Sequence, residues 1–175
     1  MKPWYEHLFD LLLSLMTKSS LGPGAVSGSM VLPTGYSREA DEAGQRAKIV
    51  AYCRRQMGKP YLLGAEVSPG EEGEVESWDC SELTEAAYRL AGQDLPDGAQ
   101  QQYDATRVIL SPLEGDLGFL WSDKRGKIGH VMVYAGHGAL IHAVGGRGVV
   151  EDPASNWEMH PRWRGWRRIH GFSLT

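Results

Sequence analysis

Cys80, His130 and His142 are the residues of this chain whose types and spacing suit covalent chemistry. Cys80 stands in Trp78-Asp79-Cys80-Ser81-Glu82-Leu83. Leu83, Ala87 and Leu90 follow at helical spacing, and Gly92 stands where a helix would stop. Asp79 is a natural N-cap, which predicts that Cys80 falls in the first turn of a buried helix. Unpaired backbone N–H groups and the positive end of the helix dipole favour a thiolate there. A free thiol titrates near ~8.5, and a helix N-terminus with a histidine partner lowers that by several units. The chemistry this points to is nucleophilic attack by sulfur.

A nucleophile of this kind needs a base. His130-Val131-Met132-Val133-Tyr134-Ala135 and Ala139-Leu140-Ile141-His142-Ala143 flank Gly136-His137-Gly138, a strong hairpin signal. Pairing Ala135 with Ala139 sets Met132 opposite His142 and makes His130 its diagonal neighbour. Diagonal neighbours on one face lie about 7–8 Å apart at the backbone, within reach of ring side chains. With the cysteine helix packed on that face, the thiol attacks, His130 takes its proton and His142 orients His130. A zinc site built from Cys80 and both histidines is the metal alternative. His-Glu-x-x-His and Cys-x-x-Cys are both absent, and the thiol reading requires no metal and no cofactor. His7, His137, His160 and His170 read as solvated.

The elements that must position these residues fit one ordinary domain in 175 residues. The composition is 42% hydrophobic and 23% charged with net charge −4, which gives no reason to expect nucleic acid or an anionic membrane as partner. Two cysteines make no disulfide framework. Cys53 sits mid-helix beside Ile49 and Met57 and reads as inert core, with a Cys53–Cys80 bridge as the alternative that would abolish the site. Residues 1–37 divide into an apolar stretch, Leu8 to Met16, and a Gly/Ser/Pro-rich linker from Thr17 to Ser37. Pro3, Glu6 and Asp10 spoil a signal-peptide reading, and the apolar run is too short to span a bilayer. Residues 1–16 therefore read as an amphipathic helix that docks on this domain or on a protein partner. That leaves a phage tail or lysis component, a helper secretion system and a cytoplasmic role as equal expectations.

The second region, 38–175, opens with a helix capped by Ser37, ended by Gly58-Lys59-Pro60 and buried along Ala43, Ala47, Val50 and Ala51. The acidic loop from Glu66 to Ser77 reads as a solvated insertion or as a negative rim for amine-bearing substrates. A turn at Asp94–Gly98 and a short helix, Ala99 to Thr106, follow the cysteine helix. Strands come next, at Leu117–Trp121, in the two runs of the hairpin, at Gly148–Val150 and at Arg167–Phe172. Helices first and strands afterwards argue α+β, with helices packed on a small antiparallel sheet. From Trp157 to Arg168 the tryptophans either pack while the arginines face solvent, or form a basic aromatic shelf for sugar rings or anionic polymer.

Six blocks in register carry a family resemblance. Tyr61, Asp79-Cys80-Ser81-x-Leu83, Leu95-Pro96, Gly115-Asp116-Leu117, Gly129-His130-Val131 and Ile141-His142-Ala143 resemble the NlpC family of papain-like cell-wall peptidases. The resemblance covers about residues 40 to 172 and implies a papain-like core. It also implies thiolate attack on an amide of the peptidoglycan stem peptide, often the bond from the D-glutamate γ-carboxyl to a diamino acid. By the same resemblance Cys80 matches the nucleophile, His130 the base and His142 the orienting residue. Tyr61 matches a tyrosine whose hydroxyl helps hold the oxyanion, with the Cys80 backbone N–H as the other donor. Asp79 and Ser81 match positions lining the substrate groove. Glu82 replaces the family's usual glycine, where it would narrow the groove or meet a substrate amine. That departure leaves a rival reading, a non-catalytic wall-binding module of a phage tail-like assembly. Acyl transfer to lipid shares the thiol chemistry but lacks a membrane anchor here.

Overall fold

Residues 34–172 are described by the computed structural model, so the docking helix over 1–16 and most of the linker lie outside the described residues. Helix α1 runs from Thr34 to Arg55, starting within the expected linker rather than at Ser37. Proline is tolerated just ahead of a helix, and a lone serine does not interrupt one. Its buried face is Arg46, Ile49, Val50, Tyr52 and Cys53, while Ala43, Ala47 and Ala51 are exposed. An apolar count passes over that stripe because Arg46 belongs to it. The Arg46 guanidinium is buried by ion pairs to Glu42 and Asp116. At Gly58, just past the helix, φ is +83°, the left-handed conformation that glycine supplies at a helix end.

Helix α2, Cys80–Leu90, starts and stops where its sequence signals stand. Leu83, Ala86, Ala87 and Tyr88 are buried, but Leu90 is exposed, so the stripe ends a turn early. Helix α3 covers Ala99–Asp104. Thr106, expected in that helix, instead opens strand β1, Thr106–Ile109, which the sequence pattern did not disclose. The remaining strands are β2 (Leu117–Ser122), β3 (Lys127–Gly136), β4 (Ala139–Val144), β5 (Gly148–Pro153) and β6 (Trp163–Ile169). They form an antiparallel sheet in the order β1-β6-β2-β3-β4-β5. A single helical turn, α4 (Ser155–Glu158), connects β5 to β6. The class is α+β, as the order of elements requires.

Both faces of the sheet are covered. Val131, Val133, Ala135, Ile141 and Ala143 pack with Ile49, Cys53, Leu83, Ala86 and Ala87 in one core. Met132, Leu140, Leu120, Trp166 and Ala154 form a second core, flanked by Trp157 and Trp163. Alternate residues of β3 and β4 thus serve opposite cores. Val133 pairs with Ile141 and Tyr134 with Leu140, the register expected, but Gly136 rather than Ala135 pairs with Ala139. Ala135 is bulged out at the turn, a local kink that leaves the pairing beyond it intact.

Arg168, expected to face solvent, is instead buried. It donates to both carboxylate oxygens of Asp116, at 2.9 and 2.7 Å, and Arg46 donates to the same carboxylate at 3.0 Å. A buried charge is tolerated only when paired, and these contacts tie α1 to the start of β2 and to β6.

Candidate active site

Cys80 is the first residue of α2, and the cap beneath it is fully built. The Asp79 carboxylate accepts the Glu82 backbone N–H at 2.8 Å and the Ser81 hydroxyl at 3.0 Å; its other oxygen accepts the Gly64 N–H at 3.2 Å. Satisfying an N-terminal helix donor in this way contributes roughly 1 kcal/mol. Asp79 and Ser81 line the cleft that holds Cys80, together with Tyr61, Gln100, Gln101, Arg125 and Lys127. Both Cys80 and Cys53 are free thiols, so the bridge that would abolish the site does not form.

Burial dominates the sulfur. It pushes the Cys80 thiol up to about 11, partly countered by the backbone N–H of Val131. Desolvation disfavours the charged form, and it outweighs the helix N-terminus expected to yield a resting thiolate. The same desolvation pushes buried Cys53 up to about 12. Burial, followed by the Cys80 and Asp79 charges, also raises Tyr61, so its hydroxyl keeps its proton at the cleft wall.

Val131, whose backbone faces the sulfur, follows His130 directly. A bulge places that histidine: Leu120 pairs with His130 and Trp121 with Ile128, leaving Gly129 as the extra residue of β3. Gly129 is also where the Cys80 cleft meets a second groove, lined by His130, Trp121, Trp157, His160 and Arg162. The His130 and His142 rings share one sheet face, with centroids 5.1 Å apart and His130 Nε2 at 2.8 Å from His142 Nδ1. Two nitrogens bound to one zinc at 2.0–2.1 Å would stand about 3.3 Å apart, so the pair is hydrogen-bonded rather than splayed for a metal. Nε2 of His130 is committed to His142, which leaves Nδ1 as its second ring nitrogen.

One part of the expected arrangement is corrected. Helix α2 packs on the opposite face, against Val131, Val133, Ile141 and Ala143. The thiol therefore meets the histidine strand at its backbone, beside the bulge, and not across a helix–sheet interface. Burial, then His142, pushes the His130 imidazole down to about 3; burial also lowers His142. Both rings are neutral near pH 7.

Glu82 does not line the cleft. Its side chain is 6% exposed and turned the other way, accepting the Val67 N–H at 3.1 Å with Arg89 at 3.9 Å. Burial, then the Glu85 charge, pushes its carboxyl up to about 7. The acidic loop is likewise not a plain solvated insertion. Glu66, Glu71, Glu74 and Glu76 are exposed, but Glu72 is buried and accepts from Arg89 at 2.8 Å, which ties the loop to α2.

Asp152 joins the site without having been read from sequence, and Trp157, read as a packing residue or part of an aromatic shelf, joins it beside the histidines. The Asp152 carboxylate lies 3.2 Å from His142 Nε2, and Trp157 packs edge-on against His142 with centroids 4.8 Å apart. The signal for Asp152 was present. Gly145-Gly146 closes a second hairpin whose register pairs Leu140 with Asp152, which makes Asp152 diagonal to His142 on the same face. Trp157 lies on a four-residue helical turn that no periodicity announces. His137 and His170 are solvent-exposed as expected; His160 packs on Trp157, and His7 lies outside the described residues.

Comparison with known proteins meets this geometry. The chain is 33% identical over 128 residues to a protein of Corynebacterium glutamicum strain R named probable endopeptidase, covering 72% of this chain and 56% of that protein. It is 33% identical over 140 residues to peptidoglycan endopeptidase RipB of Mycobacterium tuberculosis, covering 75% of this chain and 57% of that one. A crystal structure of a Staphylococcus aureus protein described as similar to lipoprotein, NLP/P60 family, superposes with TM-score 0.58 at 32% identity, over 73% of this chain and 42% of that chain. The chain spans about half the length of the curated relatives it matches. The family model described as NlpC/P60 matches residues 58–168, from the end of α1 through the last strand, and so takes in the cysteine, the bulge and the paired histidines. The chain belongs to the NlpC/P60 family.

Proposed function

We propose that this protein is a cysteine endopeptidase that hydrolyses amide bonds in peptidoglycan stem peptides. The observation that carries the reading is a cysteine at a capped helix N-terminus beside the strand that bears a hydrogen-bonded histidine pair. The Cys80 sulfur attacks the scissile carbonyl carbon as its proton passes to His130 Nδ1. The oxyanion so formed accepts from the Cys80 N–H and the Tyr61 hydroxyl. Collapse breaks the C–N bond, and His130 returns the proton to the departing amine. Water then hydrolyses the thioester, its proton taken by the same nitrogen, which frees the acid and restores the thiol.

The bond fits the D-glutamyl γ-linkage to a diamino acid. A γ-linked glutamate keeps its α-carboxylate close to the scissile carbonyl, and Arg125 and Lys127 border the cleft that holds Cys80. The resting thiol and neutral imidazole make substrate binding, not a preformed ion pair, the trigger for proton transfer. That resting state also favours a second reading, a wall-binding domain that turns nothing over.

Mass spectrometry of products from defined muropeptides separates the two. Cleavage between D-glutamate and the diamino acid, insensitive to a chelator and lost in Cys80→Ala, is expected. Undiminished binding to sacculi with no cleavage by the unaltered protein would overturn the peptidase reading in favour of the second.

A further inference from the structure

We infer that Asp152 is a positioning residue that fixes the tautomers of both histidines, so that the bare nitrogen of His130 is the one offered to the thiol. The inference rests on the peptidase reading above only for its kinetic consequence; the tautomers themselves are a property of the resting protein.

Asp152 stands on β5, one diagonal step beyond His142, as His142 stands one step beyond His130. Its carboxylate is held from three sides. Arg147 donates to both oxygens, at 2.9 and 2.6 Å, Trp157 Nε1 donates to Oδ2 at 3.2 Å, and His142 Nε2 lies 3.2 Å from that same oxygen. Only 13% of the Asp152 side chain is exposed. The Arg147 guanidinium, first among these partners, holds the carboxyl down at about 2, so it is ionised throughout the working range.

An ionised carboxylate accepts hydrogen bonds and donates none. The proton in the Asp152–His142 contact therefore sits on His142 Nε2. A neutral imidazole carries one ring proton, so His142 Nδ1 is bare and acts as acceptor. At 2.8 Å, the only hydrogen bond left between the rings has His130 Nε2–H donating to His142 Nδ1. His130 Nδ1 is then bare in turn. Two neutral rings linked nitrogen to nitrogen transmit the choice made at one end to the other. A donor in place of the carboxylate would reverse the chain, put a proton on His130 Nδ1 and leave no lone pair for the thiol. Once His130 gains the thiol proton, the same carboxylate favours the imidazolium through His142, as an aspartate does behind a catalytic histidine elsewhere.

Long-range proton–nitrogen NMR of ¹⁵N-histidine-labelled protein reads the tautomers without any turnover. The unaltered protein should show protonated Nε2 and bare Nδ1 on both His130 and His142. Asp152→Asn, whose amide can donate to His142 Nε2, should move the proton to Nδ1 on both rings. Its kcat should fall by roughly 10⁴-fold, the scale on which lost tautomer control acts in a serine–histidine–aspartate site. KM should hold, and Asp152→Glu should recover part of the loss. A proton on Nδ1 of His142 in the unaltered protein overturns the inference outright, whether or not Asp152→Asn folds. So does an Asp152→Asn protein that keeps both kcat and the original nitrogen shifts. Should the unaltered protein cleave no stem peptide, the peptidase reading falls while the nitrogen shifts still decide this inference.

Discussion

At the scale of the single residue, burial decides the state of the sulfur: it holds the Cys80 thiol up at about 11, against the lowering that a helix N-terminus alone would give. Asp79, Cys80 and Ser81 could be placed at a helix start from their types alone, because N-capping is a contact within three residues. The thiol's proton affinity could not. It depends on how deeply α2 is buried and on the Val131 N–H, 51 positions away in the chain, neither of which shows in a six-residue motif. Glu82 failed for the same reason. Its place beside the nucleophile predicted a groove-lining carboxylate, yet the side chain turns inward to hold the Val67 N–H.

That inward turn has a consequence with a definite sign. A buried carboxyl with its folded pKa raised to about 7 from the ordinary ~4.3 favours the protonated fold. The stability it contributes is fully present below about 4.3 and is lost as pH rises through about 7. Glu82→Gln keeps an oxygen for Val67 and removes the charge. Thermal melts should show the variant matching the unaltered protein near pH 4 and exceeding it in Tm at pH 8. A variant less stable at pH 8 would mean that the 3.9 Å approach of Arg89 outweighs desolvation.

At the scale of the element, the site depends on one inserted glycine. Gly129 is the extra residue that resets β3 against β2 immediately before His130, and a β-bulge of this kind re-aims the next side chain. A methyl group at this position would overlap the Cβ of Ser122 on the paired strand, an atom with no rotamer to escape through. Gly129→Ala should therefore cost about 1–3 kcal/mol in denaturant unfolding, in the range of other overpacked sites. Hydrolysis should be lost even where the fold is kept, since the strand shift displaces His130. Unchanged stability and rate together would show that the bulge has no part in aiming the histidine. Hairpin arithmetic recovered the His130–His142 juxtaposition because glycines mark the turn. The same arithmetic on Gly145-Gly146 would have delivered Asp152. Strand β1 and helix α4 were invisible at this scale, since four residues are too few for a period to register.

At the scale of the whole molecule, α+β architecture followed from helices preceding strands, but the two-sided burial of the sheet did not. The pattern of β3 and β4 is apolar at nearly every position, which fits either face and concealed which core the histidines join. The Asp116 carboxylate, gripped by Arg46 and Arg168, supplies the long-range tie that no local pattern encodes. In the proposed stem-peptide hydrolysis it is Cys80 that forms the covalent bond. Acid-quenched intact-protein mass spectrometry during turnover tests this most directly, with the adduct located on the peptide bearing Cys80. The account predicts a mass increase equal to the acyl half of the cleaved stem peptide, confined to Cys80 and absent from Cys80→Ala. Continued cleavage by Cys80→Ala, with no adduct on the unaltered protein, would contradict it.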